Sequence, residues 1–250
     1  MQSGTLDSLA LTDAQLQRLA TRKIFFGHQS VGMNILQGVR DLMAQDPRLR
    51  LNVVRNAEPG RVPGPALVES GIGRNFDPAS KLDDFVSALD RGMGNQEAIA
   101  ACKLCYVDVT RATDVRQLFD LYRRRVDEVR ARHPGITILH VTIPLTADEP
   151  VLKAFAKRAL GRATARELNI KRNHYNRFLR DHYASTDVIF DLAAAESTRP
   201  DGSRACFRAG NEVIYTLCPE FTSDGGHLNE RGRRMAAREF LLALVNASER

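Results

Sequence analysis

The sequence has 250 residues, 43% of them apolar, and a formal net charge of +6. This length suits one sizeable domain, and no apolar run approaches the roughly 20 residues of a membrane-spanning helix. Because acidic residues interleave with the Lys and Arg residues along the predicted helices, a pattern typical of solvated faces, we expect no nucleic-acid partner.

Five short segments rich in β-branched and aromatic residues predict strands, and segments with helical periodicity lie between them. The predicted strands are Lys23–Phe26, Leu51–Val54, Lys103–Val109, Ile136–Ile143 and Asp187–Leu192. The predicted helices are Val31–Met43, Ala79–Leu89, Val115–Arg132, Ala165–Tyr183 and Glu230–Val245. This alternation predicts a parallel sheet with helices on both faces, a three-layer α/β/α sandwich.

The four cysteines and the N-terminus leave the compartment undecided. Cys102 and Cys105 do not open a helix after a strand, as a redox C-x-x-C pair normally does, so we expect small buried residues there. Cys206 and Cys218 lie in a loop-rich stretch that would allow a disulfide between them, and the sequence does not decide whether they form one. The first residues lack the features of a signal peptide. A chain that begins after a removed signal would lack them too, so export stays open. The localisation and the oligomeric state are therefore not predicted.

The segments that follow the predicted strands carry the polar residues of interest, because ligands of open parallel sheets gather beyond the carboxyl ends of the strands. The first strand is followed by GHQSVG, residues 27–32, and the second by a long Gly/Pro loop over residues 58–78. Asp108 follows the third strand. The stretch TSDGGHLNERG, residues 222–232, precedes the last helix and brings Asp224 and His227.

These pieces match the needs of acyl transfer. A serine becomes nucleophilic when a neighbouring base removes its proton, and Ser30 lies on a predicted strand-to-helix turn that exposes its hydroxyl. A D-x-x-H turn presents a base and its orienting carboxylate together, so His227 and Asp224 qualify. The oxyanion needs preorganised donors, and the candidates are the Ser30 amide, the Gly73 amide and the Asn75 side chain.

The order of these blocks resembles that of the SGNH or GDSL hydrolase superfamily. The likeness runs from about Lys23 to Val245, and DGGHLN before the last helix is its strongest element. It implies one domain over residues 1–250, with residues 1–22 as an extension, and a flavodoxin-like, five-stranded parallel sheet. It also implies that Ser30 is the nucleophile, His227 the base and Asp224 its orienting carboxylate, with no cofactor and an ester of a small molecule, carbohydrate or lipid as substrate.

The sequence departs from the family pattern in two blocks. The first block usually reads G-D-S, whereas His28 and Gln29 stand between Gly27 and Ser30 here, so His28 either hydrogen-bonds in the site or fills the turn. The third block usually supplies an oxyanion Asn, and Asp108 stands in its place. An ionised carboxylate cannot donate a hydrogen bond. Either Asn75 substitutes as donor, which we favour, or Asp108 has a structural role such as binding loop amides.

Two other functions fit parts of the pattern. His28, Asp224 and His227 would form the metal site of a metal-dependent hydrolase, with Ser30 incidental. The missing Asn is also compatible with a catalytically impaired module that binds carbohydrate. The serine esterase is favoured, with no metal, because a binding module has no need of an Asp–His pair that converges with a serine.

Overall fold

The computed structural model describes residues 11–93 and 97–250, and its centre is a six-stranded sheet in which every pair of neighbours is parallel. The strands are β1 (Lys23–His28), β2 (Val53–Arg55), β3 (Ala66–Gly71), β4 (Ala98–Cys102), β5 (Ile136–Val141) and β6 (Val188–Phe190). They lie in the order β2-β3-β1-β4-β5-β6. A separate antiparallel hairpin joins β7 (Cys206–Ala209) and β8 (Glu212–Tyr215).

Helices cover both faces of the sheet. They are α1 (Asp13–Ala20), α2 (Val31–Gln45), α3 (Pro78–Gly92), α4 (Val115–Arg132), α5 (Val151–Ala159), α6 (Ala165–Tyr183), α7 (Leu192–Ser197) and α8 (Glu230–Ser248). One core packs α1, α2, α7 and α8 on the face that carries Ile24 and Phe26, and a second packs α3, α4 and α6 on the face that carries Phe25. The alternation of these β1 side chains between two cores confirms the predicted three-layer sandwich.

The predicted number of strands was wrong by one, because the sequence between residues 58 and 78 holds the strand β3. Its first residues, Ala66, Leu67 and Val68, are buried between β1 and β2, but Pro and Gly on either side obscured so short an apolar run. Without the edge strand β2, the order β3-β1-β4-β5-β6 is the flavodoxin-like arrangement expected for five strands.

The predicted third strand was displaced along the chain. The structure has β4 at Ala98–Cys102, and Tyr106–Asp108 forms a single 3₁₀ turn instead of a strand. The strand AIAAC is mostly alanine, which has little β-propensity, whereas its burial between β1 and β5 stabilises it. The later KLCYVDV has strand-like composition, but the buried Asp108 accepts the Cys105 N–H and closes a turn.

The strand order places the candidate residues at one edge. The connection that leaves β1 leads toward β2 and β3 on one side, and the connection that leaves β4 leads toward β5 on the other. The crevice at such a switch point, here between β1 and β4, is where open α/β sheets bind ligands. The turn after β1 holds Ser30, and the loops after β3 and β4 flank it. In the described part of the chain, all four cysteines are free thiols, and no helix has an apolar stretch that would cross a membrane.

Candidate active site

Ser30 lies in the two-residue turn between β1 and α2, in a strained conformation. Its φ of 53° and ψ of −108° put it in the left-handed half of the map, which non-glycine residues rarely enter. A serine before a helix commonly caps the first free N–H groups, but the Ser30 side chain makes no such bond. Its hydroxyl is directed instead at the ring of His227.

Three side chains form a continuous hydrogen-bonded relay. Ser30 Oγ lies 2.6 Å from His227 Nε2, and His227 Nδ1 lies 2.6 Å from Asp224 Oδ2. The side chains of His227 and Asp224 are 45% and 56% exposed, so the relay is open to solvent on one side. The structure therefore brings together the serine, histidine and aspartate that the sequence singled out.

The D-G-G-H turn owes its shape to its own aspartate and glycines. Asp224 Oδ1 accepts the backbone N–H groups of Gly226 and His227, each at 2.8 Å, which leaves Oδ2 for the His227 ring. Gly225 has a φ of 90°, which favours glycine, and a Cβ on Gly226 would lie 2.8 Å from the Tyr106 hydroxyl. The two glycines are needed for the turn that brings the Asp224 carboxylate to the His227 ring and packs against Tyr106.

Hydrogen bonds keep the Asp224 carboxylate ionised. Partial burial acts to raise the pKa of Asp224, but the bonds from the His227 ring and from the two backbone N–H groups outweigh it and hold the pKa well below its usual range. An ionised Asp224 accepts a proton-bearing His227 Nδ1, so the lone pair of Nε2 faces Ser30.

Contacts between α2 and α8 fix the distance between serine and histidine. Asn34 Oδ1, one turn into α2, accepts the backbone N–H of Leu228 at 3.2 Å, and Arg233 pairs with Asp41 at 2.8 Å. A Cβ on Gly38 would lie 2.3 Å from the Arg233 carbonyl oxygen, so the helices approach more closely than any side chain there permits. Neither Asn34 nor Gly38 was singled out from the sequence.

Gln29 ties the neighbouring loops to the serine turn. Its Nε2 donates to the carbonyl oxygen of Ile72, at 2.7 Å, and to that of Gly73. Its own carbonyl oxygen accepts from the Cys105 thiol at 3.7 Å. The loops after β1, β3 and β4 thus meet at this glutamine. Gln29 was not singled out from the sequence, because its side chain is not a reactive group.

Gly73 is held in place by contacts that engage its amide. It has a φ of 50°, and a Cβ would lie 2.4 Å from the backbone nitrogen of Lys81 at the start of α3. Its N–H donates to Asp84 Oδ2 at 2.7 Å. The expectation that this amide is an oxyanion donor therefore needs correction: the chain requires glycine here for close approach to α3, and a carboxylate already occupies the donor.

Asn75 keeps a free pair of donors. Lys81 Nζ donates to Asn75 Oδ1 at 3.0 Å, and since a lysine ammonium only donates, the amide oxygen must face it. The Asn75 NH₂ group donates to no described residue, and neither does the backbone N–H of Ser30. These two groups are the donors that remain from the predicted set.

Asp108 is a buried structural anchor in this arrangement. It accepts hydrogen bonds from the backbone N–H groups of Cys105 at 2.6 Å and Phe76 at 3.1 Å. The Lys81 ammonium lies 2.7 and 2.8 Å from its two oxygens, and both side chains are fully buried. Asp108 thus connects the loop after β4 to the loop that carries Asn75. This is the structural role, the binding of loop amides, that was one of the two alternatives for Asp108.

His28 lies beneath the serine turn, away from solvent. The residue is 1% exposed, its Nε2 lies 3.0 Å from Glu69 Oε2, and Glu69 in turn pairs with Arg55. Burial lowers the pKa of His28 and outweighs the opposing bond to Glu69, so the neutral ring donates to that carboxylate. A Cβ on Gly32 would collide with the ring. Of the two alternatives for His28, these contacts favour the one in which its ring fills the space beneath the turn.

The two metal-site histidines have other partners in the structure. His227 uses both ring nitrogens within the relay, and His28 Nε2 faces Glu69. Across residues 11–93 and 97–250, no group of three or more His, Cys, Asp or Glu side chains is arranged to hold a metal ion. The geometry favours the relay over the predicted alternative ligand set.

A cavity of about 750 Å³ adjoins the relay. Its lining includes Asp224, Gly225 and Gly226 of the D-G-G-H turn, together with Tyr106 and the exposed Phe76. The loop after β5 and the segment around α5 contribute further lining residues, among them the cationic Lys153, Lys157 and Arg162, and Arg111 of the loop after β4 lines the cavity as well.

Solved structures share this fold at low sequence identity. A candidate platelet activating factor from Streptococcus pneumonia superposes with a TM-score of 0.54 at 15% identity, covering 93% of this chain and 90% of that chain. A GDSL-like lipase from Bacteroides thetaiotaomicron gives a TM-score of 0.52 at 13% identity, covering 91% and 89%. The predicted resemblance to the SGNH or GDSL proteins is thereby confirmed for the fold. No protein-family model and no curated protein matches the sequence.

Replacing Asp108 by alanine should destabilise the fold. It leaves the Lys81 ammonium buried without a counter-charge and removes the acceptor of two loop amides, and such a loss costs about 3–5 kcal/mol of unfolding free energy. Asp83→Ala on α3, which removes an exposed partner of Arg125, is the matched control and should cost about 1 kcal/mol or less. Urea denaturation measures both. Equal losses in the two variants would contradict the anchoring role of Asp108.

Proposed function

We propose that this protein is a serine esterase that forms an acyl intermediate on Ser30. The observation that carries the proposal is the relay itself, with two contacts of 2.6 Å joining Ser30, His227 and Asp224. A structural serine at a helix start would cap the helix, whereas this one is strained and bonded to a histidine. The fold it shares with a GDSL-like lipase agrees with ester hydrolysis.

Acylation begins with proton transfer. His227 Nε2 takes the Ser30 hydroxyl proton as Oγ attacks the ester carbonyl carbon, and the carbonyl electron pair moves onto oxygen. The ionised Asp224 stabilises the imidazolium that results and keeps the ring oriented. When the tetrahedral intermediate collapses, the alkoxide leaves with the proton from His227, and the acyl group stays on Ser30.

Deacylation reverses the roles. Water gives a proton to His227 Nε2 and attacks the acyl carbon, after which the bond to Ser30 Oγ breaks and the proton returns to the serine. The oxyanion of both steps would be bound by the free N–H of Ser30, at the amino end of α2, and by the Asn75 NH₂ group. The helix dipole adds partial positive charge there.

A fluorophosphonate should label wild-type protein at Ser30, because a serine reacts readily with it only when a base activates the hydroxyl. Labelling and turnover of p-nitrophenyl esters should both vanish in Ser30→Ala and His227→Ala. Ser203→Ala, at an exposed loop position, is a matched control and should label as wild type. Excess chelator should leave turnover unchanged.

Other outcomes of that experiment would identify the alternatives. A protein that resists the probe, loses turnover in chelator and regains it with a divalent metal would be a metal-dependent hydrolase. A protein that neither labels nor hydrolyses any ester, acetylated sugars included, would be a binding module.

Asn75→Asp should lower kcat about 10²-fold or more with a smaller effect on KM. The carboxylate retains an oxygen for Lys81 but has no N–H to stabilise the oxyanion, a contribution made mainly in the transition state. Arg74→Ala, which removes an exposed pair with Asp77, should retain wild-type kcat. Steady-state kinetics on one p-nitrophenyl ester decide the matter. An Asn75→Asp enzyme with wild-type kcat would remove Asn75 from the oxyanion site.

A further inference from the structure

The helix α5 is unusual because none of its residues is buried. Four of the six large apolar side chains exposed in the described part of the chain lie on it or directly after it. They are Val151, Leu152, Phe155 and Leu160, with exposures of 87%, 81%, 71% and 71%. Pro150 precedes the helix, and Gly161, with a φ of 66°, follows it. Residues 150–162 are called the α5 segment below.

The large apolar side chains of α5 and its two lysines lie on different sides of the helix. At 100° per residue, Val151, Leu152 and Phe155 fall within one arc of the helix, and this arc faces solvent. Lys153 and Lys157 lie on the opposite side and line the cavity next to the relay. Arg158, at the same 100° per residue, falls next to Val151. The helix therefore presents to solvent an apolar face with a cationic residue at its margin.

Phe76 is a second exposed apolar side chain, and it lines the same cavity. It is 68% exposed, and its φ of 66° is a strained value for a bulky residue. Its backbone N–H is held by the buried Asp108. The strained backbone at Phe76 thus exposes an aromatic ring to solvent. Backbone strain of this kind is often found at functional positions.

The charge of the α5 segment indicates what covers it. From residue 151 to residue 165 the sequence has no Asp or Glu, whereas Lys153, Lys157, Arg158 and Arg162 are all cationic. Lys157 pairs with Glu149, but Lys153, Arg158 and Arg162 form no ion pair with any described residue. An apolar helix face edged by unpaired cations is the pattern of helices that lie in the interface of anionic membranes.

We propose that the α5 segment and Phe76 seat this protein on a lipid surface with anionic headgroups. Val151, Leu152, Phe155 and Leu160 would enter the boundary between headgroups and acyl chains, while Arg158 and Arg162 meet the phosphates. The helix would lie along the surface, since nine residues are far too few to cross it. Surface binding needs no catalysis, so the proposal stands apart from the esterase.

Co-sedimentation of the full chain with vesicles tests the proposal. Wild-type protein should pellet with an equimolar mixture of phosphatidylglycerol and phosphatidylcholine, weakly with phosphatidylcholine alone, and less as salt is raised. The double variant Leu152→Asp/Phe155→Asp should bind the mixed vesicles about tenfold or more weakly, because it places charges in the apolar face. Val213→Asp, at the exposed apolar residue of the β7–β8 hairpin, should bind as wild type.

Two further measurements keep the result interpretable. Arg158→Glu, which reverses a charge at the margin of the apolar face, should weaken binding to the mixed vesicles and leave the weak binding to phosphatidylcholine unchanged. Fluorophosphonate labelling of each variant in solution should match wild type, which shows that the fold and the relay are intact whether or not the protein binds lipid. Wild-type protein that stays in the supernatant with both vesicles overturns the proposal. So does a dimer, seen by light scattering, that the Leu152→Asp/Phe155→Asp variant dissociates while no vesicle binding occurs, because the patch then joins two copies.

Discussion

The close packing of α2 against α8 is the constraint on which the rest of the site depends. Ser30 stands directly before α2 and His227 shortly before α8, so the distance between their side chains is set by how these two helices meet. At Gly38 the backbones approach to a separation that excludes even a methyl group, and the bond from Leu228 N–H to Asn34 fixes the register. Two loops far apart in the sequence thereby meet within one hydrogen bond.

The loops around the relay are held by buried polar groups. Asp108 and Lys81 join the loop after β4 to the loop after β3, and Gln29 joins both to the serine turn. Removing one partner of a buried pair is costly, so the pair restricts these loops to a single arrangement. Preorganised donors need such support, since they stabilise charge only where they already point toward it.

Features that depend on local sequence were predictable, and those that depend on distant partners were not. The helices Val115–Arg132 and Ala165–Tyr183 were predicted at the bounds they have, because amphipathic periodicity and the caps Asp114 and Thr164 are local signals. The D-x-x-H turn is local as well. In contrast, β3 and β4 owe their stability to burial within the sheet, which composition does not reveal.

The roles of the candidate site residues around the relay likewise depend on partners that are distant in the sequence. Whether the Gly73 amide is free depends on Asp84, eleven residues later, and the position of His28 depends on Glu69 in another strand. Asn34 and Gln29 matter because of the backbone atoms they reach, and no motif of reactive residues selects them. The sequence therefore pointed to the groups of the relay, while the roles of the groups around it required their neighbours in space.

The central claim is that Ser30 carries the acyl group during turnover, and the mass of the quenched enzyme tests it most directly. Protein mixed with excess p-nitrophenyl acetate and quenched in acid within the first turnovers should gain the mass of one acetyl group, located on the peptide that contains Ser30. His227→Ala protein should gain none, because its serine is not activated. Rapid ester turnover by wild-type protein with no added mass on that peptide would contradict the account.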